Sequence, residues 1–175
     1  GMRSRDFDQL QQLQTPYYDV EFTDVTDDYG CLAIGGPNSR NVLNKLTDAD
    51  LSNASFRWLT GQAITVAGVE VRALRVSYAG GLGWELYVPT DGFANFYEAL
   101  MTAGEEFGIV PAGMYALNSL RMEKGYRGFG TEMTNEVTPI EADIMRFVSK
   151  KKTDFRGAKP LAEGKTKWKG HQLVY

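Results

Sequence analysis

The chain is organised around one stretch in which apolar and polar positions alternate beside a glycine cluster, residues 76–89, V-S-Y-A-G-G-L-G-W-E-L-Y-V-P. The pattern predicts a strand over residues 72–78, a tight turn over residues 79–83 and a second strand over residues 84–89. The glycines supply the positive φ angles that a backbone reversal requires. The apolar positions of the second strand are Trp84, Leu86 and Val88. These should face a core, which leaves Glu85 on the opposite side of the sheet.

Glu85 follows the glycine turn directly, and two interpretations of it are open. A carboxylate beside Tyr78 and Tyr87 could recognise a planar ligand. A surface hairpin that carries a solvated glutamate explains the same pattern. The pattern alone does not choose between the two, because a short motif has low specificity.

Periodicity predicts the other elements in the same way. Apolar or alternating runs predict strands at residues 17–23, 31–36, 62–66, 69–78 and 171–175, with a two-residue reversal at residues 67–68. Helical spacing of apolar residues predicts helices at residues 2–15, from 37, from 90 to 108, at 113–124 and at 138–147. The order predicts an α+β fold of ferredoxin-like character, with helices on one face of a mostly antiparallel sheet.

Arg121 stands out in the predicted helix at residues 113–124, because it shares an apolar face with Met114 and Leu117. An arginine on such a face is partly desolvated and needs an anion or a carbonyl partner. The alternative is that its stem packs on the helix while its guanidinium reaches water. Both interpretations fit the spacing.

Composition narrows the class of function. The 175 residues are 43% hydrophobic and 12% aromatic, which are values of a globular domain. A net charge of −3 lacks the basic excess that a nucleic-acid partner requires. No run approaches the roughly 20 apolar residues of a membrane span, so no membrane partner is expected. The single cysteine, Cys31, fits a reducing compartment, and we expect a cytoplasmic location.

Metal and nucleophilic chemistry have little support in the sequence. The single histidine, His171, disfavours a His-rich metal site and makes a Ser-His-Asp or Cys-His pair a poor explanation. An acidic cluster at Asp24, Asp27 and Asp28 lacks the ligand spacing and closing glutamate of an EF-hand. We interpret this cluster as a solvated turn, and we predict no metal site.

Four motifs, in order, make the chain similar to a known family. They are A-I-G-G-P (33–37), S-Y-A-G-G-L-G-W-E-L-Y-V-P (77–89), N-S-L-R-M-E-K-G (118–125) and G-T-E-M-T-N-E-V-T-P-I-E-A (130–142). Together they resemble the folate-binding aminomethyltransferases, which are the glycine-cleavage T-protein and the C-terminal halves of dimethylglycine dehydrogenase, sarcosine dehydrogenase and the sarcosine oxidase alpha subunit. The run S-K-K-K…D-F-R-G (149–157) is most similar to the dehydrogenase and sarcosine oxidase branch. The resemblance covers residues 25–161.

The resemblance implies a tetrahydrofolate site and three of its residues. In the family, the glutamate after the glycine turn accepts hydrogen bonds from the pterin 2-amino and N3–H groups, and it matches Glu85. A carboxylate suits two parallel N–H donors. Tyr78 matches a pocket tyrosine, and Arg121 matches an arginine that would meet the pterin carbonyl or orient Glu85. These three residues share one pocket only if the helix at residues 113–124 packs beside the hairpin turn.

The resemblance also implies that the chain is a fragment, the middle folate-binding domain of the T-protein fold. The family's catalytic aspartate lies upstream of the matched region, so no residue here receives a catalytic role. FAD is expected only in the parent, because the FAD-binding half of the dehydrogenases has no counterpart. The expected division is a lead-in at residues 1–24, a partial folate-binding aminomethyltransferase-like domain at 25–157, and the start of a truncated C-terminal barrel at 158–175.

Three functions stay open. The chain could belong to a dimethylglycine or sarcosine dehydrogenase-like protein that passes a one-carbon unit from an N-methylated glycine to tetrahydrofolate, and would then be weakly active or inactive alone. It could be a stand-alone folate-binding or regulatory module, or part of a glycine-cleavage aminomethyltransferase. It could also be a truncated product with an incomplete pocket and an exposed apolar patch. An exposed sheet edge would permit a homodimer.

Overall fold

The computed structural model describes residues 2–14, 19–167 and 170. Its α-helices are α1 (Arg3–Leu13), α2 (Ser39–Asn44), α3 (Phe93–Gly104), α4 (Met114–Glu123) and α5 (Ala158–Lys167). Its strands are β1 (Tyr29–Gly35), β2 (Gly61–Val66), β3 (Val69–Leu74) and β4 (Gly83–Pro89). Short 3-10 helices lie at Thr90–Gly92, Glu105–Phe107 and Met145–Phe147. The chain forms two compact units, the first made of Gly1–Ser77 and Leu82–Val110, the second of Tyr78–Gly81 and Pro111–Tyr175.

The first unit is built on a four-stranded antiparallel sheet in the order β1-β4-β3-β2. β1 and β4 pair along their whole length, from Tyr29 opposite Pro89 to Gly35 opposite Gly83. The predicted reversal between β2 and β3 is confirmed, since Ala67 and Gly68 both have positive φ angles, of 50° and 77°. Such a two-residue turn matches the right-handed twist of a hairpin.

One face of this sheet carries the hydrophobic core. Trp84, Leu86 and Val88 of β4 are all fully buried, as the alternation predicts. They pack in one cluster with buried side chains of β3, α2 and α3, including Val71, Val42, Leu43, Phe96 and Leu100. The Phe56 ring meets the Trp84 ring edge-on, with centroids 6.2 Å apart. The predicted α+β class is confirmed, and α2 and α3 pack on this one face of the antiparallel sheet.

Two predicted strands differ from the structure. The strand predicted at residues 69–78 ends at Leu74, because the Val76 amide turns back to the Leu74 carbonyl at 3.0 Å. Of the strand predicted at residues 17–23, the described part, residues 19–23, is irregular. The strand predicted at residues 171–175 lies outside the described residues.

The second unit contains α4, α5 and a long irregular segment between them. α4 confirms the helix predicted at residues 113–124, but Met114 is exposed, so the expected apolar face is only partly covered. The helix predicted at residues 138–147 is wrong: it gives way to turns and a single 3-10 turn at Met145–Phe147. Thr138 and Glu141 cap a first turn by reciprocal hydrogen bonds, but Asp143 adopts a φ of 51°, which a continuing helix does not allow.

Candidate functional site

Glu85 lies in β4 on the face of the sheet opposite the core. Its neighbours across the strands are Ala33 of β1 and Leu74 of β3, and its side chain is half-buried. Tyr87 projects from the same face two residues later, and its hydroxyl donates a hydrogen bond to Glu85 Oε2 at 3.1 Å. In the described part of the chain Oε1 has no hydrogen bond. Tyr87 therefore fixes one carboxylate oxygen of Glu85, and the other oxygen has no hydrogen-bond partner among the described residues.

Electrostatics around Glu85 keep its neighbours protonated. Burial, and then the charge of Glu85, raise the pKa of Tyr87 to about 12, so its hydroxyl is a donor at neutral pH. Cys31 stands directly across from Tyr87 on β1. Burial and the Glu85 carboxylate raise the pKa of the Cys31 thiol, against a smaller opposing effect of its hydrogen bond with Tyr87. A neutral thiol and a neutral phenol thus border a single negative charge.

Tyr78 belongs to the second unit, although the sequence predicts it at the edge of the hairpin. Its hydroxyl donates a hydrogen bond to the Arg127 carbonyl, and its ring lies 6.1 Å from the Tyr126 ring, tilted by 34°. The side chain is 40% exposed. Tyr78 is therefore fixed at its hydroxyl end while its ring remains accessible.

Arg121 is buried, with 4% of its surface exposed. Its guanidinium donates twice to Asn118 Oδ1, at 2.9 and 2.6 Å, once to the Tyr126 carbonyl at 2.9 Å, and to both oxygens of Glu132 at 2.7 and 3.1 Å. These bonds use all five N–H groups of the side chain. The prediction of an anion and a carbonyl partner is confirmed, and the alternative of a guanidinium in water is wrong.

Tyr78 and Arg121 both contact Tyr126. The Tyr78 ring lies against the Tyr126 ring, and Arg121 donates to the Tyr126 carbonyl. Glu85 lies in the first unit. The structure thus brings together two of the three predicted site residues within one unit and places the third in the other.

Comparison with known proteins identifies the family. Residues 1–152 match the model of the GCVT N-terminal domain. The chain belongs to this family. The resemblance inferred from the four motifs is confirmed.

Relatives of this GCVT domain include enzymes of both predicted branches. The chain is 44% identical to mitochondrial dimethylglycine dehydrogenase of Mus musculus, across 90% of the chain and 18% of the relative. It is 43% identical to mitochondrial sarcosine dehydrogenase of Mus musculus, across 81% of the chain and 15% of the relative. It is 36% identical to an aminomethyltransferase of Caldanaerobacter subterraneus subsp. tengcongensis, across 90% of the chain and 42% of the relative. The chain thus spans less than half the length of these relatives.

Among solved structures, the chain is similar to heterotetrameric sarcosine oxidase from Corynebacterium sp. U-96 in complex with pyrrole 2-carboxylate. The sequence identity is 22% and the TM-score is 0.46, over 52% of this chain and 45% of the other.

Several residues of this GCVT domain that shape the candidate site are not evident from the sequence. Glu132 accepts from Arg121, from the Gly128 amide at 2.6 Å and from the Thr131 hydroxyl at 2.8 Å. The Arg121 hydrogen bond is the largest influence that lowers the pKa of Glu132 to about 2. Arg127 is also buried and donates to the Ala142 carbonyl at 2.7 Å. The only sequence signal for Glu132 is its place in the G-T-E motif.

The acidic cluster near the start of the GCVT domain forms ion pairs with an arginine. Arg3 of α1 forms ion pairs with Asp24 at 2.6 Å and Asp27 at 2.9 Å. The hydrogen bond from Arg3 lowers the pKa of Asp24 to about 2. Among residues 2–14, 19–167 and 170, no three metal-ligating side chains come together, and no helix is long and apolar enough to cross a membrane. The exposed turn predicted here is present, with an arginine as its counter-ion.

Proposed function

We propose that this chain binds reduced folate, as tetrahydrofolate, and that Glu85 receives the pterin ring. The observation that carries the proposal is the state of the Glu85 carboxylate. It is half-buried, held at Oε2 by Tyr87 and open at Oε1. Each carboxylate oxygen accepts two hydrogen bonds, so Glu85 retains enough capacity for the parallel 2-amino and N3–H donors of a pterin.

Tyr78 and Arg121 receive supporting roles in this proposal. The accessible Tyr78 ring offers a flat apolar surface to a planar ligand. Arg121 has no N–H group to spare, because Asn118, Tyr126 and Glu132 use all five. Its proposed role is therefore to fix the segment that carries Tyr126, and with it the Tyr78 ring. No residue receives a catalytic role.

For the whole protein, we propose a dimethylglycine or sarcosine dehydrogenase-like activity. The identities of 44% and 43% to these dehydrogenases, against 36% to an aminomethyltransferase, favour this branch. The parent would oxidise an N-methylated glycine with FAD outside this chain. Tetrahydrofolate supplies the nitrogen atoms that accept the carbon at the formaldehyde level, and this chain, at residues 25–157, would bind and orient it.

A glycine-cleavage aminomethyltransferase is the second candidate. The observation in its favour is coverage, because the chain corresponds to 42% of the bacterial aminomethyltransferase but only 18% of dimethylglycine dehydrogenase. For the compartment, the mouse relatives are named mitochondrial. We propose a reducing location, the mitochondrial interior or the cytoplasm, which suits the single thiol.

The test is a titration with tetrahydrofolate followed by tryptophan fluorescence in a Trp58→Phe, Trp168→Phe background, in which Trp84 is the remaining tryptophan. Trp58 is 65% exposed and would add a solvent signal, whereas Trp84 adjoins Glu85 in β4. We expect saturable quenching that Glu85→Gln weakens roughly 10- to 100-fold, the range of a hydrogen bond to a charged group. Glu70→Gln is the matched control, an exposed glutamate on the same sheet, and should bind as the parent chain does. Equal binding by the Glu85 and Glu70 variants would refute the assignment of the pterin to Glu85.

A further inference from the structure

Two arginines of the first unit converge on one side-chain oxygen. Arg40 of α2 donates from Nη2 to Asn53 Oδ1 at 2.8 Å, and Arg75, which follows β3 directly, donates from Nη2 to the same oxygen at 2.7 Å. The two donating nitrogens are therefore no farther apart than these two hydrogen bonds laid end to end, about 5.5 Å. Both side chains are half-buried, and burial, followed by the charge of Arg40, lowers the pKa of Arg75. Two positive charges thus repel each other where part of the screening water has been removed.

No carboxylate lies at ion-pair distance from either arginine in the described part of the chain. Other arginines differ in this respect, since Arg3 is paired with Asp24 and Arg121 with Glu132. Asp50 lies on the loop that joins α2 to β2, but its carboxylate accepts hydrogen bonds from two serines of that loop. The two converging guanidinium groups therefore carry a charge of +2 that the described residues do not neutralise.

Backbone carbonyls and one aromatic ring fix the positions of the two guanidinium groups. Arg40 Nε donates to the Leu51 carbonyl at 2.9 Å, and Arg75 Nη1 donates to the Phe56 carbonyl. Each guanidinium also lies over the Trp84 ring, 5.7 Å from its centroid. Together with the two bonds to the shared amide oxygen, these bonds use four of the ten N–H groups of the two side chains. The other six N–H groups have no partner among the described residues.

We propose that Arg40 and Arg75 form a binding site for a doubly charged oxyanion, either inorganic phosphate or a phosphate monoester. Such an anion matches the charge of the pair, and it accepts several charge-assisted hydrogen bonds from guanidinium N–H groups. Its binding removes the repulsion between the two arginines. The site lies on the core side of the sheet, because the guanidinium groups lie over Trp84, whereas Glu85 faces the other side. It is therefore separate from the position proposed for the pterin.

The test is a titration with sodium phosphate, followed by the fluorescence of Trp84 in the Trp58→Phe, Trp168→Phe background. Because both guanidinium groups lie over the Trp84 ring, a bound anion changes the electric field at the indole. Ionic strength is held constant with sodium chloride, since general screening also alters this field. We expect a saturable change with phosphate and none when chloride replaces it.

A parallel titration with glycerol 2-phosphate distinguishes the two sources of the phosphate group. Saturation by the ester at a lower concentration than inorganic phosphate would assign the site to a phosphorylated small molecule. Saturation by inorganic phosphate alone would assign it to the free ion. Either result supports the inference, whereas equal responses to phosphate, ester and chloride at one ionic strength would overturn it.

Variants of Arg40 test whether the pair itself binds the anion. Arg40→Gln should weaken phosphate at least tenfold, because it removes a charge and its donors, and Arg40→Lys, which keeps the charge, should weaken it less. Arg57→Gln is the matched control, an exposed arginine of the same loop, and should bind phosphate as the parent chain does. Thermal unfolding checks that a variant is folded, and phosphate should raise the Tm of Arg57→Gln but not that of Arg40→Gln. Equal phosphate binding by folded Arg40→Gln and Arg57→Gln would overturn the inference.

Discussion

The two compact units of this chain are stabilised by different chemistry. The first has a contiguous apolar cluster in which Trp84 and Phe56 are fully buried. In the described part of the second, Ala142 is the only apolar side chain that is fully enclosed, and the large buried side chains are Arg121 and Arg127. The first unit therefore depends on removal of apolar surface from water, and the second on paired charges that have lost water.

This difference matters for how each unit responds to perturbation. Apolar burial is nearly independent of pH and increases with the area removed from water. A buried ion pair contributes little compared with an apolar replacement, but it is costly to break, because the remaining charge has no partner. We therefore expect the first unit to be sensitive to side-chain volume and the second to be sensitive to protonation and to loss of one partner.

The largest effect should come from Trp84→Ala in the first unit. Removal of a fully buried tryptophan side chain should lower the free energy of unfolding by about 3–5 kcal/mol, as measured by urea denaturation followed by circular dichroism. Trp84→Phe should cost much less, because the indole Nε1 has no hydrogen-bond partner in this core. Trp58→Ala, at an exposed position, is the control. Similar losses for Trp84→Ala and Trp58→Ala would contradict an apolar basis for the first unit.

A smaller but still substantial effect should follow Arg121→Met in the second unit. The change keeps the apolar stem and leaves Glu132 without its counter-ion, at a cost of about 3 kcal/mol. Hydrogen exchange of the Gly128 amide, which donates to Glu132, measures this locally. Arg3→Met removes an exposed ion pair and should leave protection unchanged. Unaltered exchange at Gly128 in Arg121→Met would show that the ion pair does not stabilise the second unit.

The smallest effect should be a difference in pH dependence. The pKa of Glu132 is lowered to about 2 in the folded chain, from an ordinary value of 4.5. Its stabilising contribution is therefore complete above pH 4.5 and is lost as pH falls toward 2. Hydrogen exchange should show the second unit losing protection across this range, and Glu132→Gln should remove that dependence. At high salt the exposed Asp24–Arg3 pair is screened, so the hydrogen-exchange protection of the first unit should change less over the same pH range.

The same contrast explains which features the sequence predicts. Alternation at Trp84, Glu85 and Tyr87 indicates directly which side of a strand faces a core, so the place of Glu85 on the face opposite the core follows from it. Helical spacing likewise predicts α3 of the first unit, and it also predicts α4, which belongs to the second. The first unit is built from such local periodicity.

The second unit depends on contacts that periodicity does not contain. Glu132 pairs with Arg121, which lies eleven residues earlier in the sequence, and no periodic pattern predicts such a pair. The helix predicted at residues 138–147 stops after its first turn because Asp143 adopts a left-handed backbone conformation. The Asp143 carboxylate accepts a hydrogen bond from Arg127 at 2.7 Å. The predicted site residues followed from motif resemblance, whereas no motif predicts the hydrogen bond from Tyr87 to Glu85.

The hairpin turn has a consequence for the ancestry of this chain. Residues Tyr78–Gly81 belong to the second unit, although the polypeptide on both sides of them belongs to the first. Gly80 packs so closely on the Lys124 side chain that any Cβ there would overlap it. A recombination breakpoint between residues 110 and 111 would therefore separate the second unit from four residues that complete it. Gene shuffling should preserve residues 78–125 as one inherited block. An exchange between relatives should succeed only when residues 78–81 and the second unit from residue 111 onward come from the same parent.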